Sequence, residues 1–182
     1  MFVFKIDDEV SLKLVELKDA KRLFELTDKS REHLRKWLPW LDNNTKVEDT
    51  QKFIKFSLKS YAENTGMNSV ILYKGEIVGV AGYNEIDSAN KIAYIGYWLG
   101  REYQGNGIIT RVSKALTDYA FNELKLNRVE ITVAVENKKS RAIPERLGFS
   151  NEGCKRQVEW LYDHYVDHIF YGMIAKDWNN KK

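Results

Sequence analysis

Hydrophobic and polar positions change period several times along this chain. Val10, Leu12 and Leu14 alternate with Ser11 and Lys13, the two-residue repeat of a half-buried strand. Phe2 and Phe4 offer it a partner strand across the Asp7-Asp8 turn. From Asp19 to Asp28, Ala20, Leu23, Phe24 and Thr27 fall at helical spacing. Ser30 to Lys36 reads as a second short helix that stops at Trp37-Leu38-Pro39-Trp40, because the residue ahead of a proline avoids the α region. Thr45 and Glu48 make a capping-box pattern before a third helix, with Phe53, Ile54, Leu58 and Tyr61 as its apolar face.

The period then shortens to that of strands. Asn68 to Tyr73 and Glu76 to Tyr83 flank Lys74-Gly75, a hairpin signal. Lys91 to Leu99 is bulky on both faces, with Ile92, Tyr94 and Trp98 on one and Ala93, Ile95, Tyr97 and Leu99 on the other. That pattern predicts a central strand covered twice. Gly105 to Lys125 is the longest helical stretch, with Ile109, Val112, Leu116, Tyr119 and Ala120 as its buried stripe. Val129, Ile131, Val133 and Val135 read as a strand, and Lys138 to Leu147 as a helix closed by Gly148. Phe149 to Val158 and Tyr165 to Met173 complete the set. The order β-α-α-α-β-β-β-α-β-α-β-β predicts an α/β fold with a mixed, mostly antiparallel central sheet and flanking helices. Its one βαβ unit runs from the strand ending at Leu99 to the strand beginning near Arg128.

Composition narrows the function classes. A chain of 182 residues without repeats or linkers suits a single domain over 1–182, with a short charged tail at 176–182. The net charge of +3 argues against a direct nucleic-acid binder. No stretch approaches the ~20 apolar residues that span a bilayer, and charges through the first twenty residues break any leader. The cytoplasm is the expected address. Cys154 is the lone cysteine, which excludes an internal disulfide and suits a small buried hydrophobe. His164 and His168 fit a turn entering a strand better than a metal site, so no metal is expected. Lys52, Lys55 and Lys59 read as a solvated helix face.

Chemistry concentrates between the doubly covered strand and the long helix, in Arg101-Glu102-Tyr103-Gln104-Gly105-Asn106-Gly107-Ile108-Ile109-Thr110. Glycines there allow a tight turn that leaves backbone N–H groups unpaired at a helix N-terminus, which favours phosphate. A plain strand-to-helix turn would look similar. No Lys follows Gly107, so a P-loop is excluded. Gly105-x-Gly107 lacks the third glycine of a dinucleotide fingerprint.

Gln104-x-x-Gly107 after a buried strand resembles the acetyl-CoA pyrophosphate loop of the GNAT superfamily of N-acetyltransferases. Asn137, Ser140 and Glu145-Arg146-Leu147-Gly148-Phe149 match that family's downstream motif in spacing. Leu34-Arg35-Lys36-Trp37-Leu38-Pro39-Trp40-Leu41 and Ile95-Gly96-Tyr97-Trp98-Leu99-Gly100 are similar to the Rim branch, whose members acetylate N-termini of ribosomal proteins. The likeness covers about residues 10 to 175. Two departures stand out. Ile109 holds the loop's last small-residue position, and Pro144 stands where many relatives carry a tyrosine acid.

The resemblance implies aminolysis of the acetyl-CoA thioester by an amine acceptor, with no metal. The backbone of Gln104, Gly105, Asn106, Gly107, Ile108, Ile109 and Thr110 would hold the pyrophosphate, and Asn137 would touch the cofactor. The strand at Trp98, Leu99 and Gly100 would pair with the pantetheine arm, where it diverges from the strand at 130–135. The N–H near Leu99 would polarise the acetyl carbonyl. Glu159 is the candidate base, desolvated by Val158 and Trp160, with Glu85 as a weaker alternative. Ser140 would relay a proton to the leaving thiolate. Trp37, Trp40 and Tyr97 would line the acceptor cleft. The acceptor is expected to be a protein N-terminus, plausibly ribosomal. A small amine such as a polyamine or an antibiotic, or a non-catalytic acyl-CoA-binding module, are the alternatives. Trp160, Tyr162 and Tyr165 would support a homodimer edge.

Overall fold

The computed structural model describes residues 2–180. Eight strands, β1 (Phe4–Lys5), β2 (Val10–Leu14), β3 (Met67–Tyr73), β4 (Glu76–Asp87), β5 (Ile92–Leu99), β6 (Arg128–Ala134), β7 (Ser150–Leu161) and β8 (His164–Ile174), form one sheet. Their order is β1-β2-β3-β4-β5-β6-β8-β7. The β5–β6 pair is parallel and the other pairs are antiparallel, so the mixed sheet matches the expected architecture.

Strand alternation sorts side chains into two cores. Ile71 joins Ile108, Val112, Leu116 and Ala120 of α4 (Ile108–Asn122) on one face. Its neighbours Val70 and Leu72 meet Leu23 of α1 (Ala20–Lys29) and Ile54 of α3 (Val47–Ala62) on the other. Burying each such aliphatic side chain is worth about 1.5–3 kcal/mol before chain entropy is set against it. β5 is covered on both faces, as its pattern required. Ala93, Ile95 and Leu99 enter the α4 core, and Trp98 packs on the α1–α3 core.

Several local expectations shift for physical reasons. The long helix starts at Ile108 rather than Gly105, because Gly105 and Gly107 hold φ of 83° and 66°. The third helix starts at Val47, and the reach back to Thr45 comes from Asp49, not Glu48 (Thr45 N–H to Asp49 Oδ2, 3.2 Å). Tyr61 is exposed, while Ser57 is buried where Asn68 of β3 meets it. β4 runs on to Asp87, past an irregularity in its pairing between Tyr83 and Glu85. Phe2 is fully exposed outside β1. The charged tail is partly a helix, α6 (Ala175–Asn179), because buried Trp178 packs on Phe121 and Phe149. Residues 181–182 lie outside the described residues.

Cys154 is a correction. It is exposed, not buried, because β7 is the outer edge of the sheet and presents nearly all its side chains to solvent. Gly153 and Gln157, at φ 123° and 51°, accompany two register shifts that twist this edge, a common protection against edge-to-edge pairing. Tyr162 does not join an open aromatic edge. Its hydroxyl donates to the Leu38 carbonyl and its ring stacks under the Arg35 guanidinium. Trp160 and Tyr165 are exposed and pair edge to face at 4.8 Å.

Candidate active site

The sheet opens where β5 and β6 part. Their pairing covers only Ile92↔Arg128, Ala93↔Val129 and Tyr94↔Glu130. Beyond that, β5 stays with β4 to Leu99, and β6 stays with β8 to Ala134. The Gly100 N–H turns toward β4 and donates to the Val78 carbonyl at 2.8 Å. Alternation along the strand therefore points the Leu99 N–H into the wedge. Gly100 itself offers little, because its carbonyl also accepts from the Tyr103 N–H.

The wedge leads to the glycine loop. Gly107 is the N-cap of α4 and no side chain caps it, so the first-turn N–H groups keep their donor capacity. Space around the α carbons of Gly105 and Gly107 is open. Ile108 and Ile109 turn their side chains into the core, while their first-turn N–H groups point along the helix axis toward the loop. The bulk at the Ile109 position therefore does not obstruct the loop. Asn106 braces the turn by donating to the Tyr103 carbonyl at 3.0 Å. Thr110 accepts from Arg146 of α5 (Lys138–Arg146) at 2.8 Å. The Gln104 amide points toward His33 on α2 (Arg31–Leu34).

Across the wedge, Asn137 caps α5 by accepting from the Ser140 N–H at 3.2 Å. The Ser140 hydroxyl lies 3.2 Å from the Tyr97 phenol, which also donates to the Ser140 carbonyl at 3.3 Å. Burial pushes the Tyr97 phenol up to about 12, so it remains a proton carrier at neutral pH. The sequence excluded a tyrosine at Pro144 but gave no sign that Tyr97 reaches Ser140.

Tyr97 also lines a cavity of about 470 Å³ on the α1–α3 side of the sheet, together with Trp40, Trp98, Asn84, Gly96 and Asp49. Trp40 and Trp98 pack at 6.2 Å between centroids. Trp37 is half-buried and does not line this cavity. Gly96 leaves room for the Asn84 side chain, since a Cβ there would fall 2.2 Å from its amide and push it aside. The hairpin between β7 and β8 reaches the Pro39 segment through Tyr162, whose hydroxyl donates to the carbonyl of Leu38, itself a lining residue of the cavity.

Glu159 sits on β7, 27% exposed, and its Oε2 lies 3.0 Å from Nε2 of His168 on β8. Val158 and Trp160 do not desolvate it, because both are about half exposed and alternate to the opposite side of the strand. Its neighbour is His168, a partner that the sequence reading missed. Residues nine apart meet only through the antiparallel hairpin. Glu85 is exposed and does not line the cavity.

Comparison with known proteins agrees with this geometry. The family model described as the acetyltransferase (GNAT) domain matches residues 9–150. A putative ribosomal N-acetyltransferase, YdaF of Bacillus subtilis, is 37% identical with 100% of both chains covered. The ribosomal-protein-serine acetyltransferase of Escherichia coli is 32% identical, covering 93% of this chain and 95% of that one. A solved structure of RimL, a ribosomal L7/L12 α-N-protein acetyltransferase in complex with coenzyme A, superimposes with a TM-score of 0.90 at 29% identity. It covers 95% of this chain and 98% of that one. A wedge in the sheet, an uncapped glycine-bearing helix start and this pattern of relatives place the chain in the GNAT family as an N-acetyltransferase.

Proposed function

We propose that this chain acetylates the N-terminal α-amine of a protein, a ribosomal protein in the cytoplasm, using acetyl-CoA. The observation that carries the acceptor assignment is the chemistry of the cavity beside the wedge. Its walls are aromatic and carboxamide, and Asp49 is the single carboxylate among its lining residues. Asp49 is already engaged by Lys52 and the Thr45 N–H, which hold its carboxyl below the usual range. A polyamine would need several free carboxylates, whereas a peptide N-terminus needs aromatic walls and hydrogen-bonding groups.

Acetyl-CoA fits the residues present, because the open α4 N-terminus suits its diphosphate and the β5–β6 wedge suits its arm. When bound, it supplies the thioester. The Leu99 N–H is aimed to stabilise the developing oxyanion. Glu159 takes a proton from the attacking amine, and His168 holds the carboxylate in place. The Tyr97–Ser140 pair stands ready to protonate the departing sulfur. An α-amine, with a pKa near ~7.7–8.0, is deprotonated far more readily than lysine near ~10.4, so a modest base suffices.

The test is thiol release from acetyl-CoA with N-terminal ribosomal-protein peptides, the same peptides blocked at the α-amine, and spermidine. Turnover is expected with the free peptides alone. Turnover with spermidine and none with any peptide would overturn the acceptor assignment.

The cavity also yields a prediction about selectivity. Gly96→Val should displace Asn84 into the cleft and raise the acceptor KM about tenfold, equivalent to ~1.4 kcal/mol, with the acetyl-CoA KM nearly unchanged. Steady-state kinetics with both substrates varied would check this.

A further inference from the structure

We propose that His33 is a proton-linked binding residue for the coenzyme's diphosphate, neutral in the free protein and protonated when the diphosphate occupies the glycine loop. This rests on the loop's being the coenzyme site.

The geometry places His33 at the loop. His33 Nε2 lies 2.5 Å from Gln104 Nε2, at the first residue of the loop. Which of the two groups donates depends on the imidazole tautomer and on the orientation of the Gln104 amide. The placement is rigid. The Ser30 hydroxyl, buried at the start of α2, accepts the Arg101 N–H at 3.1 Å, and the Ser30 carbonyl accepts the His33 N–H at 3.0 Å. Gly100 is packed against Leu26 so closely that a Cβ would meet it at 2.6 Å. α1, α2 and the strand end leading into the loop therefore hold together, and His33 stays at the loop.

The charges that act on His33 come from three elements and share one sign. Lys36 follows α2, Arg101 opens the turn before the loop, and Lys139 stands on α5. Partial burial and then Lys139, Arg101 and Lys36 hold the imidazole below its ordinary value. Three cations acting on His33 beside the uncapped start of α4 make a seat suited to an anion. A diphosphate diester brings two negative charges, which reverse the balance and favour the imidazolium. The Gln104 carboxamide can then present its carbonyl to the imidazolium. The consequence by linkage is that binding takes up a proton and strengthens as pH falls.

Coenzyme A carries a 3′-phosphomonoester that itself titrates near ~6. The probe is therefore 3′-dephospho-CoA, whose diphosphate stays doubly charged. Calorimetric titration at pH 6.5 in two buffers of different ionisation enthalpy should show uptake of about half a proton. The affinity should tighten about three- to tenfold from pH 8 to pH 5.5, up to a factor of ten for each unit by which the pKa rises. In His33→Gln, which stays polar but cannot titrate, both effects should vanish while binding persists. NMR titration of the His33 ring in the unsubstituted chain should show a higher pKa in the complex than in the free protein. Binding without proton uptake, or equal uptake in His33→Gln, overturns the proposal and leaves the coenzyme site intact. Failure of both coenzyme A and dephospho-CoA to bind at any pH overturns the coenzyme reading of the loop, and this proposal with it.

Discussion

Glu159→Gln is expected to lower kcat by about 10²–10³ with N-terminal peptide and acetyl-CoA, while the acetyl-CoA KM changes little. Val166, His168 and Phe170 alternate with Ile169, Tyr171 and Met173 along β8, and the latter three belong to the α4 core. His168, and with it Glu159, therefore faces the other side of the sheet, the side on which Trp98 and the acceptor cavity lie. The substituted carboxamide would keep a hydrogen bond to His168 and much the same shape, so the loss would report proton acceptance rather than a collapsed site. Its pH dependence separates the two further. As pH rises through ~8, the free α-amine deprotonates unaided, and the deficit of the variant should narrow. His168→Gln should cost less, about five- to tenfold in kcat, since it removes the brace and not the base. A Glu159→Gln enzyme within threefold of the parent at neutral pH would remove Glu159 from the mechanism.

The parts of this arrangement differ in how visible they were in the sequence, and the difference follows from range. The two faces of β5 could be read from alternation alone, because Ala93, Ile95 and Leu99 declare one core and Trp98 the other. The Gly105–Gly107 turn was equally plain, since positive φ at a helix entrance selects glycine locally. The wedge was not a local property. It needed the register of β5 against β6, which only the resemblance suggested. Tyr97 and Ser140 are 43 residues apart, and Glu159 and His168 are joined by a hairpin with two register shifts. Adjacency in the sequence placed Val158 and Trp160 wrongly as shields for Glu159, since successive residues of a strand point to opposite sides. Cys154 failed for a related reason. Composition cannot tell an edge strand from a covered one. His33 and Gln104 illustrate the same limit, since nothing in a four-residue helix announces which loop it faces.

Asp19→Ala should destabilise the fold by about 3–5 kcal/mol, the largest single-site loss expected outside the hydrophobic core. Lys13 and Asp19 are 5% and 6% exposed, and the Lys13 ammonium lies 2.6 Å from both Asp19 oxygens and 2.8 Å from Glu16. Asp19 also accepts the Glu16 N–H at 2.9 Å, closing the turn that starts α1. Removing the carboxylate leaves the buried ammonium with only the half-exposed Glu16 as a carboxylate partner and opens that turn. The effect would reach the acceptor cleft, because α1 carries Leu23 and Thr27 to its wall. Burial alone would lower the Lys13 pKa, but its hydrogen bonds to Asp19 and Glu16 outweigh it and hold the group above its ordinary value. The stabilisation from Lys13 is therefore complete below pH ~10.4 and is lost as pH rises through the higher folded value. Glu16 acts with the opposite sign. Hydrogen bonds from Lys13 and Lys18 lower it to about 2, so its contribution is complete above the ordinary glutamate value and fades as pH falls toward about 2. Urea unfolding at pH 7 measures the single-site cost. The double variant Lys13→Met with Asp19→Leu distinguishes a net attraction from the cost of an orphaned charge. It should recover at least half of the Asp19→Ala loss, since two apolar side chains leave no under-paired ammonium buried. A double variant as unstable as the single one would mean that the ion pair itself, and not the avoidance of a lone buried charge, holds the start of α1.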